Sequence, residues 1–317
     1  KYVEVILARD FEQSAYLTNF VLGTFNTPGE GRCGFTKKFV NSYLMADGTR
    51  FTDKPDYDKI EFVNEVSGRD PRLAQTIRTT KGLNFSNCIT GYQPHKYIVE
   101  ANLGSSAASY NDLPLFRMAE VYLNYAEAKA ELGEITQGDL DISVNKIRAR
   151  AKMPNLNLMA ANDSPDPYLS SAETGYTNVT GANKGVILEI RRERNIELVL
   201  ESQNRWWDLM RWKEGACIGQ KMEGLYIPAD KIGKAYDVNG DGNADICVYS
   251  GTQPSVKENV TWFNLDTDYK LSEKGSGKIV FFSDIVRKWN EERDYFYPIP
   301  KEDIILTGGK IEQNKGW

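Results

Sequence analysis

The sequence contains a single histidine, His95, in 317 residues. One imidazole excludes every metal site built from several histidines, and it removes most catalytic arrangements that need a histidine base. No nucleophile motif stands where it could pair with His95, so we expect this residue to be structural or exposed. A strongly basic surface is also missing, since 39 basic and 44 acidic residues give a net charge of −5. A nucleic-acid partner is therefore not expected.

Cysteine is scarce as well, with four residues and no Cys-x-x-Cys pair, so a zinc site is not expected. Four cysteines could form two disulfides in three different ways, or they could be four buried thiols. The sequence does not decide between these states. The residues are Cys33, Cys88, Cys217 and Cys247.

Long apolar runs are absent, and a membrane-spanning helix needs about 18 consecutive apolar residues. No segment is therefore expected to cross a membrane. The chain also shows no signal peptide, because a strand-like segment begins directly after Lys1. We expect the chain to be a processed or truncated product that starts in the middle of a domain.

The first part of the chain, residues 1–112, is rich in turns and mixed in pattern. Val3, Val5 and Leu7 stand at alternate positions, which is typical of a strand. The segment RDPRL predicts the start of a helix, because Asp70 can cap it and Pro71 suits its first position.

Helical periodicity begins at Leu113 and continues to Gly133. Apolar side chains recur there at steps of three and four residues, which predicts one buried helix face. A second helix is expected over residues 139–151. Two antiparallel helices with small residues between them are typical of a tetratricopeptide-type hairpin. The predicted buried face consists of Phe116, Ala119, Leu123, Ala126 and Ala130.

Loops and helices alternate beyond this hairpin. Residues 154–184 are expected to form an excursion, and helices resume at Val186. Residues 216–283 are expected to be irregular with strand-like pieces, and the tail contains a short helical turn. We therefore predict a mainly α-helical fold of tetratricopeptide-type hairpins with an irregular, loop-rich flank.

Four segments carry recognisable motifs in a set order. Residues 113–133 contain R-x-x-E-x-Y-L-x-x-A-E-A, and residues 144–154 contain N-x-I-R-x-R-A. Residues 190–212 contain E-R-x-x-E-L-x-x-E followed by R-W-x-D-L-x-R, and residues 297–317 contain P-I-P and later Q-N-x-G. Together they resemble the C-terminal portion of the SusD/RagB family of outer-membrane nutrient-binding proteins of Bacteroidota. The departures from the family motifs are Ser202 for glycine, Lys315 for proline and Trp317 for tyrosine.

This resemblance implies a single SusD-like domain over residues 1–317 that is truncated at its N-terminus. The implied regions are 1–112 as the loop-rich ligand side, 113–153 as the helical hairpin, 185–215 as the signature helices, 216–283 as the excursion and 284–317 as the tail.

The resemblance also implies a function. Such a protein is not an enzyme, and it captures oligosaccharides at the cell surface for import through a SusC-like TonB-dependent transporter. A lipid anchor would hold the full-length protein at the outer membrane. The alternatives are a peptide-binding, RagB-like member of the family, a glycoside hydrolase and a helical-repeat scaffold.

Arginines and carboxylates alternate along the signature helices. They could form a ligand site or a pair of catalytic carboxylates. The alternative, which we favour, is a network of ion pairs between helices, because nearby arginines oppose the raised pKa that a catalytic acid needs. The residues are Arg192, Glu193, Arg194, Glu197, Glu201, Arg205 and Asp208.

Three of the six tryptophans, Trp206, Trp207 and Trp212, stand within seven residues. On a helix they point to different sides. A platform for a sugar would not need aromatic side chains on every side, whereas a helix packed among other helices would. We therefore predict core tryptophans, with Arg205 and Asp208 as ionic latches.

The segment DVNGDGNAD is similar to the first part of a calcium-binding EF-hand loop. Oxygen ligands stand at alternate positions, and Gly242 supplies the sharp turn. Position 12 of the loop is Val248 in place of a bidentate glutamate, so this is not a true EF-hand, and a hairpin turn is the alternative. The predicted structural calcium ligands are Asp237, Asn239, Asp241, Asn243 and Asp245.

A sugar ring is bound by exposed aromatic side chains and a few polar anchors on loops. The loop-rich first part of the chain offers such residues, although burial in the core is the alternative for each of them. The predicted ligand-binding residues are Tyr16, Phe20, Phe25, Arg32 and Tyr92.

Overall fold

The computed structural model describes residues 4–12, 14–20, 33–79, 85–86, 88–97 and 109–317. The helices are α1 (Lys37–Asn41), α2 (Phe62–Glu65), α3 (Arg72–Thr76), α4 (Met118–Glu131), α5 (Gln137–Asp141), α6 (Val144–Arg150), α7 (Leu158–Asp163), α8 (Pro167–Ser170), α9 (Lys184–Glu197), α10 (Asn204–Arg211) and α11 (Lys301–Leu306). The strands are β1 (Val5–Arg9), β2 (Leu113–Arg117), β3 (Met222–Ile227), β4 (Ala235–Tyr236), β5 (Ile246–Tyr249), β6 (Thr261–Asn264), β7 (Lys270–Glu273) and β8 (Ser276–Phe281).

The helical half of the protein is built on α4 and α9, which pack against each other. Small side chains on one face of α4 let the two helix backbones approach closely, because Ala119 and Ala126 are fully buried. Helix α9 is buried on nearly all sides, with α7 against another part of its surface. The buried α4 face agrees with the periodicity of Ala119, Leu123, Ala126 and Ala130.

The predicted start of the first helix is wrong, because residues 113–117 form strand β2. This strand pairs antiparallel with β1, with Arg9 opposite Leu113 and Val5 opposite Arg117. A proline disfavours helical geometry at the residue before it, so Pro114 keeps Leu113 extended. Phe116 consequently lies on an exposed strand and does not join the buried helix face.

The predicted helix over residues 139–151 is two helices, α5 and α6, separated at Ser143. Helix α5 begins earlier than predicted, since Thr136 and Asp139 form a capping box. The backbone of Ser143 leaves helical geometry, and its hydroxyl donates to the Asp139 carbonyl oxygen at 2.5 Å. This side-chain bond to the backbone competes with helix continuation and accounts for the break.

The second half of the core lies beneath two small sheets. One has the strand order β3-β8-β7 and is antiparallel, and the other has the order β4-β5-β6, in which β5 and β6 are parallel. Leu225, Ile227 and Ile279 are fully buried under the first sheet. Helices α1, α2 and α3 cover this core with apolar residues that include Val40 and Phe62.

The prediction of a mainly α-helical fold is therefore wrong, because the described residues are 32% helical and 16% strand and form three small sheets. The strand-like pieces expected in residues 216–283 are present, and they pair into two sheets that the sequence did not predict. The strands are four to six residues long apart from the shorter β4, and β3 pairs with β8 about fifty residues later. Such short alternations give a weak sequence signal, and pairing over that distance leaves no local signal.

Several local predictions hold. Strand β1 forms where alternation indicated it, and the Asp70 side chain accepts the Arg72 backbone N–H at 2.9 Å near the start of α3. The tail contains α11 directly after Pro300. The cysteines are all free thiols, which settles the question that the sequence left open.

Candidate functional site

The charges of α9 form a buried network of ion pairs, as predicted. Glu193 accepts hydrogen bonds from Arg72 at 2.8 Å and from Arg148 at 2.7 Å. Glu197 accepts from Arg117 at 2.6 Å, and it also pairs with Arg72 and Arg150. These contacts connect α9 to α3, β2 and α6, so the network holds both halves of the core together.

A second part of the network joins α4, α9 and α10. Asp208 accepts hydrogen bonds from Arg194 at 2.9 and 3.0 Å, while Arg211 bridges Asp208 and Glu127. Asp208 is thus an ionic latch, as predicted. The same prediction is wrong for Arg205, which donates to the Tyr176 hydroxyl at 2.7 Å and forms no ion pair with a carboxylate of the described residues.

The network keeps its carboxylates ionised. Burial works to raise the pKa of Glu197, but Arg117, Arg150 and Arg72 outweigh it and hold that pKa at about 2. Burial likewise opposes ionisation of Glu193, and its arginine partners still lower the pKa of that carboxyl. A general acid of a glycosidase needs the opposite shift, so these groups suit a structural role.

The three clustered tryptophans occupy different environments. Trp212 is 7% exposed, and its indole N–H donates to Glu127 at 2.6 Å. Trp207 is 51% exposed, and Trp206 is half-buried. The prediction of three core residues is therefore correct for Trp212 only, which packs against Glu127 of α4 and Arg191 of α9.

Trp206 lines a cavity of about 490 Å³ that lies between α1 and α10. The segment 198–203, which precedes α10, and residues 168–176 complete its wall. Phe35 and Phe39 stack on each other at the α1 side, with ring centroids 4.5 Å apart. Tyr168 of α8 and Tyr176, which follows that helix, also line the cavity. The cavity therefore combines aromatic surface with hydroxyl groups.

The segment before α10 has an unusual backbone. Leu200 and Ser202 both adopt a left-handed conformation, with φ of 59° and 51°. Residues with a Cβ atom rarely adopt it, whereas glycine does so readily. This accounts for the glycine that the family motif places at the position of Ser202.

Polar groups reach the cavity from three elements. The Lys38 ammonium on α1 donates to the Gln220 side chain, and the Gln220 amide donates to the carbonyl oxygens of Ala172 and Gly175 at 2.9 Å. Arg205 approaches from α10. The indole N–H of Trp206 is buried and has no hydrogen-bond partner in the described part of the chain. These donors could bind an oxygen-rich ligand.

The structure describes three of the five predicted ligand residues, Tyr16, Phe20 and Tyr92. Tyr16 is 91% exposed and Phe20 is 41% exposed, so both could contact a ligand. Tyr92 is a core residue with no exposed surface, and its hydroxyl donates to Glu65 at 2.8 Å. Phe25 and Arg32 lie outside the described residues.

Sequence reasoning missed the cavity residues Lys38, Phe39, Tyr168 and Tyr176. They come from positions more than a hundred residues apart, and no motif marks them. The one available signal is the aromatic content of the segments around α1 and α8, which occurs equally in core segments.

The loop of residues 237–245 closes on itself through its own side chains. Asp237 accepts the backbone N–H groups of Gly240 and Gly242 at 2.7 and 2.8 Å, and Asp245 accepts that of Val238 at 2.8 Å. Gly240 and Gly242 have φ of 73° and 91°, which turns the chain back sharply. The acidic side chains of the described residues form no cluster of three or more that could hold a metal ion. The oxygen-rich donor set still suits a hard cation.

The fold and site define a class of protein: a helical scaffold with small sheets, a structural charge network and an aromatic cavity. The chain belongs to the SusD family, whose model matches residues 79–317, and this confirms the resemblance seen in the sequence. No helix in the described ranges has the length and apolar character needed to cross a membrane.

Solved structures share the fold. A SusD-like carbohydrate-binding protein from Bacteroides fragilis NCTC 9343 has a TM-score of 0.60 and 23% identity, over 96% of this chain and 53% of that chain. A SusD-like protein from the same organism has a TM-score of 0.57 and 20% identity, over 99% of this chain and 54% of that chain. The chain therefore spans about half the length of these relatives. No curated protein matches it.

Proposed function

We propose that this protein binds oligosaccharides at the cell surface without catalysing their breakdown. The observation that carries the proposal is the cavity between α1 and α10, in a chain that belongs to the SusD family. A site for a sugar needs apolar faces for the ring and hydrogen-bonding groups for its hydroxyls. Phe39 and Trp206 supply the apolar faces. The hydrogen-bonding groups come from Tyr168, Tyr176 and Gln220.

A similar protein of known structure supports this choice of ligand. The SusD-like protein from Bacteroides fragilis with a TM-score of 0.60 is described as carbohydrate-binding. The absence of catalysis is supported by the carboxylates around the cavity. Glu201 and Asp208 line it, and each is bound by two basic side chains. Carboxylates held in this way by arginine and lysine suit the role of structural ion-pair partners.

The proposal extends to import. The protein would hand its glycan to a SusC-like TonB-dependent transporter, and a lipid anchor on the full-length protein would keep it at the outer membrane. Both expectations rest on the family. Co-purification of the full-length protein with a TonB-dependent transporter from membranes would support them, and a fully soluble, unlipidated mature protein would contradict them.

A peptide ligand is the main alternative, because aromatic and cationic groups also suit a peptide. An array of glycans and peptides, probed with the full-length protein, separates the two. Binding to glycans that weakens at least tenfold in Phe39→Ala is the expected result. Val121→Ala is a matched control, because Val121 is exposed on α4 and does not line the cavity. Binding to peptides with no glycan bound would overturn the proposal, and turnover of a bound glycan would overturn its non-catalytic part.

We also propose that the loop of residues 237–245 takes up calcium as a structural ion. Its support is the alternation of Asp237, Asn239 and Asp241 and the turn geometry at Gly242. Weak sites of this kind fill at the millimolar calcium found outside cells. The ion would stabilise the connection between β4 and β5.

A further inference from the structure

The cavity between α1 and α10 carries two cations that no described carboxylate neutralises. Lys38 Nζ donates to the side-chain oxygen of Gln220, and Arg205 donates to the Tyr176 hydroxyl. Both acceptors are uncharged. Within the described residues, Lys38 and Arg205 form no ion pair. This sets them apart from Arg191, Arg192 and Arg194 of α9, which are paired with carboxylates.

The acidic residues that line the cavity cannot serve as partners, because other cations already bind them. Glu201 accepts from Arg117 at 2.6 and 2.9 Å and from Lys96 at 2.5 Å. Asp208 is bound by Arg194 and Arg211. The charge remaining in the cavity is therefore positive.

A third cation strengthens the positive charge. Arg287, which follows β8, donates to the Gln220 backbone carbonyl oxygen at 2.6 Å, so it lies beside the residue that binds Lys38. Its Nε atom is buried and has no hydrogen-bond partner in the described part of the chain. Burial lowers the pKa of Lys38 to about 8, and the charges of Arg205 and Arg287 add to this effect.

Both cations also have unused donors. An ammonium has three N–H donors and a guanidinium has five. The described contacts use one N–H of Lys38 and one of Arg205. Keeping the Lys38 charge in this wall without a carboxylate partner is costly to stability, and an anionic ligand would remove that cost when it binds.

We propose that the cavity between α1 and α10 binds the acidic group of an anionic oligosaccharide, a uronate carboxylate or a sulfate ester, through Lys38 and Arg205. This rests on the proposed function and names its substrate class. The acidic group would accept from the two cations and from the Trp206 indole N–H. Phe39 and Tyr168 would contact the face of the same sugar.

The test is calorimetric titration of the full-length protein with matched ligands. The probes are a galacturonic acid trimer, a sulfated chondroitin tetrasaccharide, maltotriose as a neutral sugar and a short peptide with a free C-terminal carboxylate. The variants are Lys38→Met and Arg205→Met, with Arg205→Lys to retain the charge. Lys257→Met is the control, because Lys257 is exposed and does not line the cavity.

We expect at least one acidic glycan to bind more tightly than the neutral sugar. Lys38→Met and Arg205→Met should each weaken that binding about tenfold to a hundredfold, since each removes a charged hydrogen bond. Arg205→Lys should retain most of it, and Lys257→Met should match the wild type. Melting curves of each variant check that the fold is intact.

Three results would overturn the inference, and they are distinguishable. Neutral glycans bound as tightly as acidic ones, with no effect of Lys38→Met, would refute the acidic ligand and leave the proposed function standing. Binding of the peptide carboxylate alone, lost in Lys38→Met, would keep the anion site and refute the sugar. No binding of any glycan in the panel or on the array would refute both proposals.

Discussion

Replacing Lys38 by methionine should make the protein more stable, which is unusual for a change at a half-buried side chain. The ammonium lies in the wall of the cavity beside Arg205 and Arg287, and it has no carboxylate partner among the described residues. Methionine has a similar length and no charge. The substitution therefore removes the unfavourable burial of a charge and keeps most of the packing.

The magnitude follows from the pKa of Lys38. Burial, together with the two arginines, lowers this pKa from 10.5 to about 8, although Cys217 works against the shift. At about 1.4 kcal/mol for each pKa unit, the charged form costs the folded state about 3 kcal/mol at neutral pH. Loss of the hydrogen bond to Gln220 destabilises the variant by about 1 kcal/mol and so offsets part of this gain. We expect a net gain of about 1–2 kcal/mol in the free energy of unfolding.

The pH dependence gives a second check. The unfolded chain keeps the lysine proton up to about pH 10.5, and the folded chain loses it near pH 8. Between these values the unfolded state binds more protons, so the stability of the wild type rises with pH. The advantage of Lys38→Met should therefore be largest at pH 7 and should shrink towards pH 10.

Urea denaturation of the wild type, Lys38→Met and Lys257→Met at pH 7, 8.5 and 10 measures both effects. The exposed control should stay within about 0.5 kcal/mol of the wild type. A loss of stability in Lys38→Met at pH 7 would refute the reasoning. A gain that does not change with pH would also refute it, because the gain would then have a cause other than the charge.

Further predictions concern the charge network, the core, the backbone and the calcium loop. Glu197→Gln should cost about 3–5 kcal/mol at pH 7 because it removes a buried carboxylate charge that Arg72, Arg117 and Arg150 share, and urea curves should show this cost fading as pH falls from about 4.5 towards 2, where the wild-type carboxylate becomes protonated. Trp212→Ala should cost about 3–5 kcal/mol in the same assay, whereas Trp207→Ala, at an exposed position of α10, should cost far less. Ser202→Gly should leave the melting temperature unchanged or raise it, since glycine relieves the left-handed backbone, and a clear fall would contradict this. A calcium chelator should lower the melting temperature, and Asp241→Ala should abolish that effect. A wild-type melting temperature that does not change with chelator would refute the calcium site.

Sequence reasoning was reliable where the signal is local. The spacing of Ala119, Leu123, Ala126 and Ala130 placed the buried face of α4, because a helix repeats every 3.6 residues within one short segment. The alternation of arginine and glutamate along α9 indicated ion pairs, since each charge needs a partner when its helix is buried. Motifs in four segments identified the family, which the family model then confirmed.

Errors arose where a property depends on distant residues. The segment Leu113 to Arg117 was predicted to be helical because the periodic pattern of α4 continues into it. It forms a strand because it pairs with β1, which lies about a hundred residues earlier in the chain. The sheets of residues 222–281 were missed for the same reason, since the partner of a strand does not appear in its own sequence. Trp207 and Trp212 have the same chemistry, and only the packing of α4 and α9 against one side of α10 makes one exposed and the other buried.

The sequence by itself determined the family, the main helices and the pairing of charges along α9, because these follow from short-range periodicity and from chemistry that is visible in each segment. The tertiary structure alone decided the strand pairing, the burial of Tyr92 and the cavity that joins Lys38 to Arg205. Those two cations stand 167 positions apart in the chain, as the difference of their residue numbers shows. Their shared environment exists only because folding brings α1 and α10 to the same cavity.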